Sequence, residues 1–223
     1  MRSWLKEIDI FLLELIRLDG RAERRAQLSC SSCLQGEPRY RCRDCLGGSL
    51  HCQTCAVKFH NYNPFHYVEV CFSIISTVTL FVPNHSKFWN GAFFERVTLK
   101  SLGCRIQLGH SIGEPCPLPS AAYDDSFIII DSSGIHDVGL DFCGCGTGGT
   151  MVQQLLRFRL YPATVHNPNT AATFRALHHF QLLSFESKCS VYEYYQTLSR
   201  ESDNTGLRKV KVSYWGSYTL LQI

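Results

Sequence analysis

Near the start of the chain, Leu5, Ile8, Leu12 and Leu15 recur at intervals of three and four residues, with Trp4, Phe11 and Leu18 on an adjacent line. This pattern predicts an amphipathic helix stopped at Gly20, with its apolar stripe packed on the rest of the domain and a partner-binding helix as the alternative. Arg21, Arg24 and Arg25 follow as a short basic link, read as solvated. Further on, VCFSIISTVTLFV, from Val70 to Val82, is uncharged and β-branched, too short to span a bilayer, and closed by Pro83. Its pattern is that of a buried strand or an association-prone edge. From Trp89 to Phe142 the chain reads as short strands with turns: GAFFERVTL, CRIQLGH, SFIIID and IHDVGLDF, the last with Ile135, Val138 and Leu140 imperfectly alternating. A small, mostly antiparallel sheet is expected. The last third is expected to be helical: NPNT, Asn167 to Thr170, offers caps before AATFRALHHFQLL, and SVYEYYQTLSR puts Val191, Tyr195 and Leu198 on one face. The tail RKVKVSYWGSYTLLQI returns to alternation.

The expected class is therefore α+β, with six segments in order. They are a helix and basic link (1–29), a cysteine and histidine cluster (30–69), an insertion (70–87), a β-rich region (88–160), a helical region (161–206) and a tail (207–223). At 223 residues, with 45% apolar and 18% charged side chains, the composition suits a folded chain rather than a disordered one. Lys6, Glu7, Asp9 and Glu14 break up the N-terminal apolar run, which neither a signal peptide nor a membrane span tolerates well. Without an export route the chain is expected to stay in a reducing compartment. There its 12 cysteines are better read as metal ligands or buried thiols than as disulfides.

Between Cys30 and His66 the spacing is Cys-x2-Cys-x8-Cys-x2-Cys-x6-Cys-x2-Cys-x4-His-x5-His. A Cys-x2-Cys turn, or knuckle, sets two thiolates on one side of a bend, and tetrahedral Zn(II) needs two such half-sites. Eight ligands imply two zincs. In a cross-brace, Cys30, Cys33, Cys52 and Cys55 would hold one and Cys42, Cys45, His60 and His66 the other; the order resembles that of B-box modules. The sequential alternative gives Cys30, Cys33, Cys42 and Cys45 to one metal and Cys52, Cys55, His60 and His66 to the other. The cross-brace is favoured because a segment with almost no apolar core gains from interlocked loops. His51 falls outside the spacing. A third zinc site is read from His110, Cys116, Cys143 and Cys145, the last two in FCGCGTGG, with His136 as a rival ligand and ordinary buried thiols as the alternative. Cys71, Cys104 and Cys189 are read as packing residues, and the adjacent His178 and His179 point apart and make a poor metal pair.

Charge argues against bulk nucleic-acid affinity. The formal +3 counts thiols as neutral, whereas a four-thiolate zinc site carries about −2 and a three-thiolate site about −1, which brings the zinc-loaded protein to about zero. Arg39, Arg41 and Arg43 alternate, so on a strand they would share one face, suited either to phosphates or to offsetting a dianionic zinc site. Asp124, Asp125, Asp131, Asp137 and Asp141 near His136 raise the alternative of a metal-dependent nuclease. Their alternation with turn and strand residues points instead to turn caps and solvent-facing positions, so no enzymatic activity is expected.

Taken in order, FFERVTLKSLGCRIQLGH, IIIDSSGIHDVGLDFCGC, YPATVHNPNTAATFRALHHFQLLSFESKCSVYEYYQTL and DNTGL, set behind the paired knuckles, resemble the second class of CxC-like cysteine cluster domain associated with KDZ (Kyakuja-Dileera-Zisupton) transposases of fungi. The resemblance runs from Trp4 to Leu207. It implies a non-catalytic accessory module of a nuclear DNA transposase, whose catalytic region this sequence lacks, recognising transposon DNA or a chromatin protein. No membrane or small-molecule partner is expected. A B-box-like protein adaptor and a remnant of a decayed transposon are the alternatives. Family members pass almost directly from the cluster histidine to Trp-Asn-Gly, so the 18 residues from Val70 to Lys87 read as a retained intron, and the sequence after Leu207 departs from the family.

Overall fold

The computed structural model describes residues 2–19, 24, 26–70, 87–89, 94–146 and 148–203. The body of the suspected insertion, Cys71, Gly20, Arg21, Arg25 and the tail 207–223 lie outside the described residues. The chain is a mixed α+β protein that divides into two units, Met1–His60 with His66–Leu102, and Asn61–Phe65 with Gly103–Ile223.

In the first unit the N-terminal periodicity produces two helices, α1 (Arg2–Leu5) and α2 (Ile8–Asp19). The expectation that their stripe packs on the domain is not met, because Trp4, Leu5, Ile8, Phe11, Leu12 and Leu15 are all exposed. The described part of this unit buries few large apolar side chains of its own, Leu50 and Val68 among them, and so gives the stripe little to pack against. Arg24 is not simply solvated either: its guanidinium donates to the backbone carbonyls of Gly47 and Gly48.

The cluster itself is built on little regular structure. β1 (Tyr40–Cys42) leads into α3 (Gln53–His60), and β2 (Val68–Val70) returns antiparallel to β1 with Tyr40 opposite Val70 and Cys42 opposite Val68. A further bridge joins Tyr40 to His51. β3 (Lys87–Trp89) and β4 (Phe94–Arg96) pair antiparallel, with Trp89 opposite Phe94.

The second unit is organised by one long strand. Its strands are β5 (Arg105–Gln107), β6 (Pro119–Ala121), β7 (Phe127–Asp131) and β8 (Gly134–Cys143). After them come α4 (Met151–Arg157), β9 (Leu160–Pro162), β10 (Thr170–Thr173), α5 (Phe174–Ser187) and α6 (Val191–Ser202). The sheet order is β5-β8-β7-β10-β9, and β6 also pairs with β8. The ten residues of β8 carry β7 along the first half and β6 along the second.

The sheet is mixed rather than mostly antiparallel, because β5 runs parallel to β8 and β10 parallel to β7. The second of these pairs also corrects the helix boundary. TAAT, read as the last cap residue and the start of a helix, is a fully buried strand laid along Ile128, Ile129 and Ile130, and the helix begins at Phe174 with Thr173 as its cap. Small side chains let it lie in the sheet between two covered faces, a tertiary gain that outweighs the helix propensity of Ala171 and Ala172. Both faces are covered. Phe127, Ile129, Leu140 and Phe142 pack with Leu155 and Leu160, whereas Ile128, Ile130 and Ile135 pack with Tyr194, Tyr195 and Leu198. Burial on two faces explains why SFIIID is continuously apolar and why alternation in β8 is imperfect.

Candidate metal centres

Twelve cysteine and histidine side chains gather in three groups of four, each with its donor atoms within 4.8 Å of one another. The first comprises Cys30, Cys33, Cys52 and Cys55, the second Cys42, Cys45, His60 and His66, and the third His110, Cys116, Cys143 and Cys145. The first two alternate along the chain, as in a cross-brace and not as in the sequential arrangement.

In the first group, one knuckle supplies Cys30 and Cys33, while Cys52 and Cys55 flank the start of α3. The Sγ atoms of Cys33 and Cys52 are 3.8 Å apart. Backbone amides already face the sulfurs: Ser32 N lies 3.4 Å from Cys30 Sγ and Gly36 N lies 3.5 Å from Cys33 Sγ. Gly36 is required here, since a Cβ on it would fall 2.6 Å from Cys52 Cβ. Burial pushes the Cys30 thiol up, but backbone amides and the Cys33 thiol outweigh it and bring the group down to about 5. Cys55 is pushed up to about 12, first by the neighbouring Cys52 thiol and then by burial. Four sulfurs this close do not all lose their protons unless a cation sits among them, so the donor set fits a divalent metal.

The second group joins Cys42 at the end of β1, Cys45 three residues on, His60 at the end of α3, and His66 before β2. Cys42 Sγ is 3.5 Å and Cys45 Sγ 3.4 Å from His66 Nδ1, and Cys45 Sγ is 3.7 Å from His60 Nε2. His60 Nδ1 lies 2.7 Å from the carbonyl of Ala56, which calls for a proton on Nδ1 and turns the Nε2 lone pair toward the sulfurs. Burial lowers the pKa of His60, favouring the neutral ring that a metal needs. Burial also pushes Cys42 up to about 12.

The third group belongs to the sheet unit. His110 Nε2 is 3.2 Å from Cys143 Sγ and 3.9 Å from Cys145 Sγ, and Cys116 Sγ is 3.7 Å from Cys145 Sγ. Cys143 ends β8, and buried Gln154 of α4 clamps its peptide: the side-chain oxygen accepts from Cys143 N at 2.8 Å and the amide donates to Cys143 O at 3.0 Å. α4 is fixed in turn by a capping box between Thr150 and Gln153. Gly109 sits at φ +78°, and a Cβ there would lie 2.5 Å from Cys143 Cβ. Burial opposes ionisation of Cys116, yet backbone and side-chain partners bring it down to about 7, whereas Cys145 is pushed up to about 11, chiefly by Cys143.

Several rival assignments fall away. His136 is not in the third group; its Nε2 lies 3.1 Å from Ser133 Oγ and its ring stacks near Phe65. His51 pairs with Ser32 Oγ at 2.9 Å. Cys104 is buried beside Asn61, Cys189 lies 3.6 Å from Ser190 O, and no described cysteine is in a disulfide. Asp131 is fully buried and engaged by Arg175, Thr173 and Ser133, while Asp125 and Asp141 share Arg105. Gln154, Gly36 and Gly109 carry no motif in the sequence, and only their packing against cysteines reveals their part.

No curated protein and no solved structure matches the chain. Residues 99–206 match the model described as a CxC2-like cysteine cluster associated with KDZ transposases. That span begins after the paired knuckles, so it is shorter than the resemblance drawn from Trp4 onward, and it contains the whole third group, the sheet and the C-terminal helices. Over residues 99–206 the chain is therefore similar to the CxC2-like cysteine cluster family associated with KDZ transposases.

Proposed function

We propose that this chain is a non-catalytic, zinc-stabilised accessory domain of a KDZ-type DNA transposase, working in the nucleus as a docking module for a protein of the transposition or chromatin machinery. The observation that carries the reading is that each of the three groups offers four protein donors of zinc-preferring type, four thiols, two thiols with two imidazoles, and three thiols with one imidazole. A set of four protein ligands fills a tetrahedral ion and leaves no position for a catalytic water. Zinc at these groups would supply cross-links between loops, contributing on the order of 10 kcal/mol or more per site to folding.

A protein partner is favoured over bare DNA by the state of the alternating arginines. Arg41 Nη2 is 2.8 Å from Glu69 Oε2, Arg43 Nε is 3.4 Å from Glu69 Oε1, and Arg39 Nη2 is 2.7 Å from Glu37 Oε2. Phosphates would have to displace carboxylates to use them. Recognition of transposon DNA stands as the second reading. Gel retardation of transposon-end DNA across a salt series separates the two. Little or weakly salt-dependent binding is expected, and tight binding that collapses with salt and is lost in an Arg39→Ala, Arg43→Ala variant would make DNA the partner. Catalysis is tested by incubating DNA with the zinc-loaded protein and Mg2+ or Mn2+; metal-dependent cleavage that follows the protein through purification would overturn the non-catalytic assignment.

A further inference from the structure

α1 and α2 together present an apolar face that nothing in the described protein covers. Ile8, Leu12 and Leu15 of α2 follow the four-and-three spacing of a coiled-coil seam, Phe11 lies beside them, and Trp4 and Leu5 of α1 adjoin them across the break at Lys6 and Glu7, the rings of Trp4 and Phe11 5.0 Å apart. These six side chains are between 42% and 67% exposed. They leave roughly 600 Å² of apolar surface open on each copy, taking about 200 Å² for a large side chain. Two copies joined along the seam would bury about 1,200 Å², at the threshold of a stable interface.

Two features select the occupant. A lipid surface draws in helices whose polar face is rich in lysine and arginine, but residues 2–19 carry three basic and four acidic side chains, and Arg17 is already paired with Glu14 at 3.3 Å. The positions flanking the seam are the other. Trp4, Phe11, Ile16 and Leu18 are apolar and Asp9 is the one acidic group among them, so an identical helix laid against this one meets no row of like charges. We propose that α1 and α2 form a self-association element, and that their apolar face is covered by the same helices of a second copy of this chain.

Sedimentation equilibrium of the zinc-loaded full chain tests this. The mass is expected to rise with concentration from monomer to dimer or higher oligomer, and Ile8→Glu with Leu12→Glu to abolish the rise while zinc content stays at the parent value. Ile8→Leu should keep it. A monomeric parent over the whole range overturns the proposal, as does an oligomer that persists in the double glutamate variant, which would place association on another surface. Binding of the parent to neutral phosphatidylcholine vesicles, lost in the variant and without any self-association in their absence, would also overturn it in favour of a lipid surface.

Discussion

Gly109 shows how a single residue can decide a metal site. With φ at +78° and a Cβ position 2.5 Å from Cys143 Cβ, an alanine there must move backbone and ligand together. Gly103 has a similar φ of +94° but open space around its Cβ position. Gly109→Ala is therefore expected to lose the metal of the third group, and Gly103→Ala to keep it with a loss of about 1 kcal/mol; metal content and thermal melts of the two variants check this. Asp131 bears on stability rather than metal. Although burial opposes ionisation, Arg175, Ser133 and Thr173 hold its carboxyl at about 2, below the usual 3.8. A depressed carboxylate pKa means stability that is present above pH ~4 and lost as pH falls toward 2. Asp131→Asn should cost roughly 2–4 kcal/mol at neutral pH, because it leaves partners of a buried anion uncompensated, and should flatten the acid limb of the melting curve. An unchanged acid limb would assign that stability elsewhere.

At the scale of elements, β7 is the sharpest test. A strand with one solvated face tolerates truncation on that face, but Ile129 and Ile130 point into two different buried clusters. Ile129→Ala and Ile130→Ala are each expected to cost about 2–5 kcal/mol in chemical denaturation, and a near-neutral result for either would mean that its face is not closed. The knuckles were legible because metal chemistry fixes local spacing, whatever the rest of the chain does. SFIIID and IHDVGLDF were legible as strands because β-branched runs say so directly. The parallel placement of β10 was not, since Ala171 and Ala172 favour helix and the strand is set by the isoleucines it lies against. Nor was the exposure of α2, whose stripe is identical whether or not something covers it. His136 looked like a ligand from its place in the chain, but on β8 its side chain meets Ser133 instead.

For the molecule as a whole, the three groups divide unevenly between the two units. Among the described residues, the first unit holds two of them around few buried apolar side chains, whereas the second holds one beside a two-faced sheet core. Chelation should therefore remove amide-exchange protection throughout residues 30–69 while β7 and β8 remain protected. Equal loss in both units would mean that the sheet depends on metal as heavily as the cluster does. The central claim, three closed structural zinc sites, is tested most directly by metal analysis of the purified full chain combined with X-ray absorption at the zinc edge. The account expects three zincs per chain and an average shell of three sulfurs and one nitrogen, as the nine cysteines and three histidines of the groups require. Two zincs or fewer, or a shell with oxygen in place of sulfur, would contradict it.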